Sequence, residues 1–349
     1  MKKNALRSLA LLGLAWGLCA ALAVAAPPET LSLADLANRP DHWPATVTLQ
    51  RDLRFTSGLV VHQGGQLRLV RFDGSQALVA DAAGHLFKVM PDDCGLLDAA
   101  NQAWAALTPA QRAVAPETLA GDLSLWPVRV AVNSEISCTL GKLPAGTEVT
   151  LLTASQKGAD VAWPNSANRL SIDFGSIDLI ARARQLALIA PDQRPSRIAA
   201  ALQGILVGAD GKPYHDEHLG DKKIFALYFG AGWCPPCQVF SPDFVKFVHD
   251  AMPRHPELAV VFLSSDKQVA DMLAYMQKEE MTFPAVPPKV LTHSNPLSDY
   301  EVQLIPHLII VDRFGKVLAD SDDGHGNRID PMDTVAALGK ILAAPPSAQ

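Results

Sequence analysis

The spacing of hydrophobic residues changes near residue 198. Before that point, short runs of alternating apolar and polar residues are separated by glycines, which predicts short antiparallel strands. From Ile198 onward, continuous apolar runs alternate with stretches of helical periodicity, which predicts a mostly parallel sheet joined by helices. The 349 residues are enough for two or three domains. The pattern therefore predicts a mainly β front half and an α/β back domain.

The front half contains an internal repeat with an offset of about 83 residues. The sequence "WPATVTLQRDLRF" begins at Trp43, and "WPVRVAVNSEISC" begins at Trp126. The stretches "GQLRLV" and "GTEVTLL" follow at similar places in the two copies. Because this offset is longer than a solenoid repeat, we predict two copies of a small domain, at residues 42–110 and 124–188.

The order of strands and glycine turns in each copy resembles the small SH3-like barrels found in many secreted bacterial proteins. The segment "IAPDQRPSR" (189–197) follows the second copy and contains two prolines and mixed charge, which favours a linker. The back domain is then expected at residues 198–345.

The N-terminal residues have the layout of a secretory signal peptide, which we assign to residues 1–25. Basic residues are followed by an apolar run and by a small-residue cleavage signal that ends at Ala25. The alternative is an uncleaved membrane anchor, since the run approaches the roughly 18 residues that a span needs. Cleavage would leave an N-terminal segment at residues 26–41. We therefore predict secretion across the inner membrane, with the bacterial periplasm favoured.

The charge of the chain bears on nucleic-acid binding. The formal net charge is −6 and charged residues make up 19% of the chain, so the composition gives no indication of nucleic-acid binding.

Four cysteines remain after the predicted cleavage. Cys94 and Cys138 align with bulky apolar residues of the opposite copy (Ile177 and Phe55), which favours packing in a core. Because disulfides persist outside the cytosol, a structural disulfide between these two cysteines is left open.

The other two cysteines stand in the motif "WCPPC", at Cys234 and Cys237. Zinc binding would need two more ligands, but the chain has no second CxxC motif and its histidines are scattered, so we predict no metal. An inert structural disulfide is a further alternative. Redox exchange is favoured, because a cysteine at the start of a helix lies where negative charge is stabilised. Cys234 would then attack a disulfide, and Cys237, one turn later on the same face, would resolve the intermediate.

Sequence likeness adds a specific family to this interpretation. The stretch "LYFGAGWCPPCQVFSPDFVKF" is followed in order by "VVFLSSD", "FPAVPPK" and "IPHLIIVDRFGKV". These motifs resemble the tryparedoxin/nucleoredoxin branch of the thioredoxin superfamily, over about residues 198–345. The implied fold is an α/β thioredoxin-like C-terminal domain, preceded by the two small mainly β SH3-like barrels.

The resemblance also implies roles for residues around the cysteines. Pro306 would follow a cis peptide bond and pack against the cysteine pair, and Ile305 would offer backbone hydrogen bonds to a substrate chain. Trp233 would cover one side of the pair. His307 stands where relatives commonly carry Thr or Ser, so it is either a surface-loop imidazole or a residue that tunes the thiolate. Tyr228 replaces the buried Asp of thioredoxins proper, which leaves the base for proton transfer unidentified.

Together these features predict a periplasmic thiol-disulfide oxidoreductase without a cofactor. Its substrates would be protein disulfides, and a reducing role is favoured over that of an oxidant or isomerase. A reductant in that compartment needs electrons from a membrane-embedded donor. The alternative is a binding or scaffold protein, whose SH3-like barrels dock on a partner or on cell-wall material.

Overall fold

The structure is a computed structural model that describes residues 30–55, 60–300, 302–322 and 327–344. The predicted signal peptide, and with it the alternative of an uncleaved anchor, lies outside these residues. In the part of the chain that is described, no helix is long and apolar enough to cross a membrane.

The first copy of the repeat follows a short helix, α1 (Leu33–Leu36). Its described residues form six strands and a closing helix: β1 (Thr46–Thr48), β2 (Leu53–Arg54), β3 (Val60–Val61), β4 (Gln66–Phe72), β5 (Ala77–Ala80), β6 (Leu86–Val89) and α2 (Leu96–Ala105).

The second copy follows helices α3 (Pro109–Arg112) and α4 (Pro116–Gly121). It has the same element order: β7 (Arg129–Ala131), β8 (Ile136–Cys138), β9 (Gly141–Leu143), β10 (Glu148–Ala154), β11 (Ala159–Ala162), β12 (Arg169–Ile172) and α5 (Leu179–Leu186).

The two copies share the same topology. The four-stranded antiparallel sheets have the orders β1-β4-β5-β6 and β7-β10-β11-β12, and in each copy the two remaining strands form a separate hairpin. The register shifts at corresponding places, between Leu69 and Arg71 and between Leu151 and Thr153. Among the described strands no closed barrel is found, so the SH3-like barrel remains a prediction.

The two cysteines of the front half lie in different environments. Cys94 is fully buried in the core of the first copy, as its alignment with Ile177 predicts. Cys138 ends strand β8 and is half-buried. Both are free cysteines, so the disulfide that the sequence left open is not formed in this structure. Each cysteine belongs to its own copy of the repeat.

The back domain contains a five-stranded mixed sheet and four helices. Its elements are α6 (Arg197–Leu202), β13 (Ile224–Gly230), α7 (Pro235–Ala251), β14 (Leu258–Ser264), α8 (Val269–Lys278), β15 (Ala285–Val286), β16 (His307–Asp312), β17 (Val317–Asp320) and α9 (Pro331–Ala343).

The sheet has the order β15-β14-β13-β16-β17. Strands β13, β14 and β15 are parallel, whereas β16 and β17 run antiparallel to their neighbours. The expectation of a mostly parallel sheet therefore holds only for the first three strands. The short hairpin connection between β16 and β17 accounts for the antiparallel pairing of these two strands, because parallel neighbours need a long crossover.

Strand β13 is buried on both faces, as its continuous apolar run predicts. Tyr228 and Ala226 belong to the cluster that includes residues of α7, α8 and α9, while Phe225 and Leu227 belong to the cluster that includes residues of α6. The central strand thus anchors the start of α7 from a rigid position in the sheet.

The segment predicted as a linker is exposed over residues 189–193, but Arg194, Ser196 and Arg197 near its end are buried. Arg197 is 6% exposed, and its guanidinium donates hydrogen bonds to the carbonyl oxygens of Pro127, Leu151 and Leu152. It also lies over the ring of Trp126, at 4.9 Å from the ring centroid. Burial lowers the pKa of Arg197 to about 10. This buried cation joins the front half to the back domain.

Candidate active site

Cys234 occupies the N-cap of helix α7, directly after strand β13 and a short turn. Pro235 and Pro236 fill the first two helical positions, where a backbone N–H would lack a helical partner. The first available donor is therefore the amide of Cys237, which donates to Cys234 Sγ at 3.2 Å. The sulfur atom thus takes the place of the oxygen that usually caps a helix.

Cys234 and Cys237 form a disulfide, with their Cα atoms 5.2 Å apart. Both side chains are buried in the closed disulfide, whereas the neighbouring Trp233 is 58% exposed. The Trp233 indole donates to the carbonyl oxygen of Ser265 at 3.2 Å. The predicted pair is therefore present as one unit, flanked by an exposed aromatic ring.

The loop that precedes β16 reaches the same place. The Ile305–Pro306 peptide bond is cis, as the family resemblance implies. The carbonyl oxygen of Ile305 lies 3.6 Å from Cys234 Sγ. Leu304, the residue before it, is 60% exposed. The structure thus brings Ile305 and Pro306 to the cysteine pair, and it leaves an apolar side chain exposed next to them.

His307 does not lie in a surface loop. It is 5% exposed and begins strand β16, opposite Phe229, with whose ring it makes an edge contact. Its Nε2 lies 2.5 Å from the carboxylate of Asp320 on the next strand. The surface-loop interpretation is therefore corrected: the imidazole is buried and paired within the sheet. His307 lies on the same face of the sheet as its neighbour Phe229. Tyr228 and the two cysteines belong to the cluster on the opposite face.

Sequence reasoning missed the contacts that hold the turn before Cys234. Asp266, which is 4% exposed, accepts a hydrogen bond from the Gly232 amide at 3.0 Å and another from the Ser264 hydroxyl at 2.9 Å. The side-chain amide of Gln238 donates to the Gly232 carbonyl oxygen at 2.6 Å. Burial raises the pKa of Asp266 above its ordinary value. The only sequence signal was the "SSD" run at the end of a predicted strand.

Glycine at position 232 has a steric reason. A Cβ atom there would lie 3.0 Å from Cβ of Tyr275 and 3.2 Å from its Cγ. Helix α8 therefore approaches the backbone of the turn closely, which fixes the entry of the chain into the cysteine motif.

Tyr228 takes part in a buried chain of three hydroxyl groups. Its hydroxyl lies 2.8 Å from Ser241 Oγ, which lies 2.6 Å from the hydroxyl of Tyr275. Burial is the main cause that raises the pKa of both tyrosines, that of Tyr228 well above its ordinary range. Both tyrosines therefore stay neutral at physiological pH. Position 228 thus supplies a neutral hydroxyl group in place of a carboxylate.

A surface groove of about 720 Å³ lies beside Trp233. It runs between the start of α7 and helix α8, and its charged lining residues are Asp266, Lys267, Asp271 and Lys278. Over the described residues, no group of three or more His, Cys, Asp or Glu side chains is arranged to hold a metal ion.

Comparison with known proteins identifies the back domain. A family model described as Thioredoxin-like matches residues 221–317. The chain is 32% identical to probable nucleoredoxin 1 of Arabidopsis thaliana over 130 residues, which are 37% of this chain and 22% of that protein. Nucleoredoxin of Mus musculus is 27% identical over 125 residues, 36% of this chain and 28% of that protein. The chain thus spans less than a third of the length of these curated relatives.

Two solved structures are similar to part of the chain. Native tryparedoxin I from Crithidia fasciculata is 29% identical and covers 35% of this chain and 84% of its own, with a TM-score of 0.29. Thioredoxin from Wuchereria bancrofti is 29% identical and covers 39% of this chain and 94% of its own, with a TM-score of 0.31. The family match shows a thioredoxin-like domain at residues 221–317, and the chain is similar to nucleoredoxins over part of its length. That domain is of the thiol-disulfide oxidoreductase class, and its cysteine pair is Cys234 and Cys237.

Proposed function

We propose that the protein exchanges disulfides with protein substrates through Cys234 and Cys237, and that it acts as a reductant. The observation that carries the proposal is the cysteine pair itself. Its two sulfurs are joined at the N-terminus of α7, and Cys234 Sγ faces the carbonyl oxygen of Ile305.

The reaction starts from the reduced pair. The Cys234 thiolate attacks one sulfur of a substrate disulfide, whose S–S bond breaks, and the departing sulfur takes up a proton. Cys237 then loses its proton and attacks Cys234 Sγ. The mixed disulfide breaks, the Cys234–Cys237 disulfide forms, and the second substrate thiol is released. Two electrons pass from the cysteine pair to the substrate.

The chain around the pair has defined tasks in this sequence. The Cys237 amide donates to Cys234 Sγ, so it stabilises the charged sulfur before attack. Trp233 and Leu304 offer exposed apolar surface on which a substrate chain can pack. Ile305 would present its backbone to that chain, next to the reacting sulfur.

We further propose a periplasmic location, for which the predicted signal peptide is the support. In that compartment a reductant must recover two electrons after each turnover, and a membrane-embedded electron donor would supply them. The repeated front half would dock on a partner, in keeping with its resemblance to SH3-like barrels. If the pair proved inactive, docking by the front half would become the main function.

Three cysteine variants of the full chain test the proposal, with a disulfide-bonded protein such as insulin as the substrate. We expect Cys234→Ser to abolish reduction, because it removes the attacking sulfur. We expect Cys237→Ser to accumulate a mixed disulfide with the substrate, detected as a higher-mass band that dithiothreitol removes. Cys138→Ser is the control and should retain full activity, since Cys138 belongs to the front half. Reduction by the Cys234→Ser variant at the rate of the unmodified chain would contradict the proposal.

A further inference from the structure

Residues 287–304 form a long connection whose two ends lie at the same edge of the sheet as the cysteine pair. Strand β15 pairs with the end of β14, where Val286 lies opposite Leu263. Strand β16 begins at His307, opposite Phe229 near the end of β13. Because Cys234 follows β13, both ends of the connection lie at the edge of the sheet where the cysteines are. The connection ends directly before Ile305.

Connections of this length are uncommon in compact domains, and they are usually functional. Among its described residues the regular structure is one 3-10 turn, Pro296–Asp299, and the side chain of Leu297 within this turn is buried. The back domain itself holds the connection at two places. The Asn295 side chain donates to the carbonyl oxygen of Ala201, and the Tyr300 hydroxyl donates to that of Gly315.

A third set of contacts to the connection comes from the front half. Arg169, on strand β12 of the second copy, donates through Nε to the carbonyl oxygen of His293. The same guanidinium donates to Ser298 Oγ at 3.0 Å and forms an ion pair with Asp299. One planar group thus binds three acceptors along the connection, an arrangement that a lysine cannot reproduce because its ammonium is a single point donor.

We propose that Arg169 is a positioning residue for the active site: the second copy fixes the 287–304 connection and, through it, Ile305 beside Cys234. The effect on catalysis rests on the proposed function, whereas the fixing of the connection by Arg169 does not. It gives the front half a role that needs no separate partner. The substrate side of the thioredoxin-like domain is completed by a side chain from the second copy.

Loss of the Arg169 contacts should loosen the connection without unfolding the domain, since Asn295 and Tyr300 still hold it. The side chain is 27% exposed and lies at the surface between the domains, so its removal opens no core cavity. Coupling through such contacts has a typical size of about 0.5–2 kcal/mol. This range corresponds to a change of roughly twofold to thirtyfold in substrate binding.

The test compares the full chain with its Arg169→Ala, Arg169→Lys and Arg182→Ala variants. Arg182 is the matched control, because it pairs with Asp178 and Glu148 inside the second copy. The first readout is amide hydrogen exchange in peptides that cover residues 302–308. The second is kcat and KM for reduction of insulin, compared with kcat/KM for a small disulfide such as oxidised glutathione.

For Arg169→Ala we expect exchange in 302–308 to rise at least about threefold, and KM for insulin to rise by a similar factor with kcat little changed. The loss for the small disulfide should be smaller, because it needs less of the substrate surface. Arg169→Lys should be intermediate, and Arg182→Ala should match the unmodified chain.

Unchanged exchange in Arg169→Ala, or equal effects of Arg169→Ala and Arg182→Ala, would overturn the inference. An unmodified chain that reduces neither disulfide would contradict the proposed function instead. In that case the exchange measurement would still decide whether Arg169 positions the connection.

Discussion

The hydroxyl groups of Tyr228 and Ser241 lie 2.8 Å apart, and Tyr228 belongs to the same buried cluster as Cys234 and Cys237. Ser241 also bonds to the hydroxyl of Tyr275, so it is the central member of the chain. All three side chains are at most 3% exposed. A buried polar chain of this kind is stable only when each member has a partner.

Because Ser241 is central, we predict that its substitution destabilises the fold more than substitution of Tyr228. Ser241→Ala leaves two tyrosine hydroxyls buried without their shared partner, and we expect a loss of about 2–4 kcal/mol in the free energy of unfolding. Tyr228→Phe leaves the Ser241–Tyr275 bond in place and should cost about 1 kcal/mol. Urea denaturation followed by circular dichroism measures both values. A Tyr228→Phe variant less stable than Ser241→Ala would contradict the assignment of Ser241 as the bridge.

Asp266 predicts a pH-dependent difference in stability. Because burial raises its pKa in the folded protein, the folded state holds the proton to a higher pH than the unfolded state does. Stability from this group is therefore lost as the pH rises from the ordinary value of 3.8 through the folded pKa. An Asp266→Asn variant can still accept from the Gly232 amide, but it does not titrate.

We thus expect the stability of Asp266→Asn, relative to the unmodified chain, to increase between pH 3.5 and pH 7. Urea midpoints at several pH values within this range measure the difference. Asp266→Ala serves as the control, because it also removes the acceptor for Gly232 and should be less stable than Asp266→Asn at every pH. A difference between Asp266→Asn and the unmodified chain that shrinks as the pH rises would have the wrong sign.

Cys94 is predicted to be inert in the folded protein. It is fully buried, and burial raises its pKa to about 11 from 9.0. At pH 8 this change alone reduces the thiolate fraction by about a hundredfold. We expect iodoacetamide to modify Cys94 at least about a hundredfold more slowly in the folded than in the urea-unfolded chain, as read by peptide mass spectrometry. Resistance of both Cys94 and Cys138 in unfolded, unreduced protein would instead reveal a disulfide between them.

Much of the cysteine site could be predicted because its residues are close in sequence or belong to a recognisable motif. Cys234, Cys237 and the first-turn prolines follow from the spacing of one helix turn. The position of Ile305 and Pro306 came from family resemblance, since no local pattern places residue 305 next to residue 234. The doubled front half was visible because alternating apolar positions recur at a fixed offset.

The rest depends on contacts between residues far apart in sequence. For His307 a surface loop was one of two interpretations, but the residue is buried and pairs with Asp320 through the register of two antiparallel strands. Asp266 and Arg169 act on backbone groups of distant loops, and a backbone partner leaves no residue-type signal. Arg197 resembles an ordinary linker residue until three carbonyl groups of the front half enclose it.

The central claim is that the Cys234–Cys237 pair is a working redox couple that donates electrons to protein disulfides. Its most direct test is the reduction potential of the pair in the full chain, obtained by equilibration against dithiothreitol and glutathione buffers, with Cys94→Ser/Cys138→Ser protein as the control for other thiols. We predict a value close to that of thioredoxin, about −270 mV. A value close to about −120 mV, typical of a strong oxidant, would contradict the reducing role.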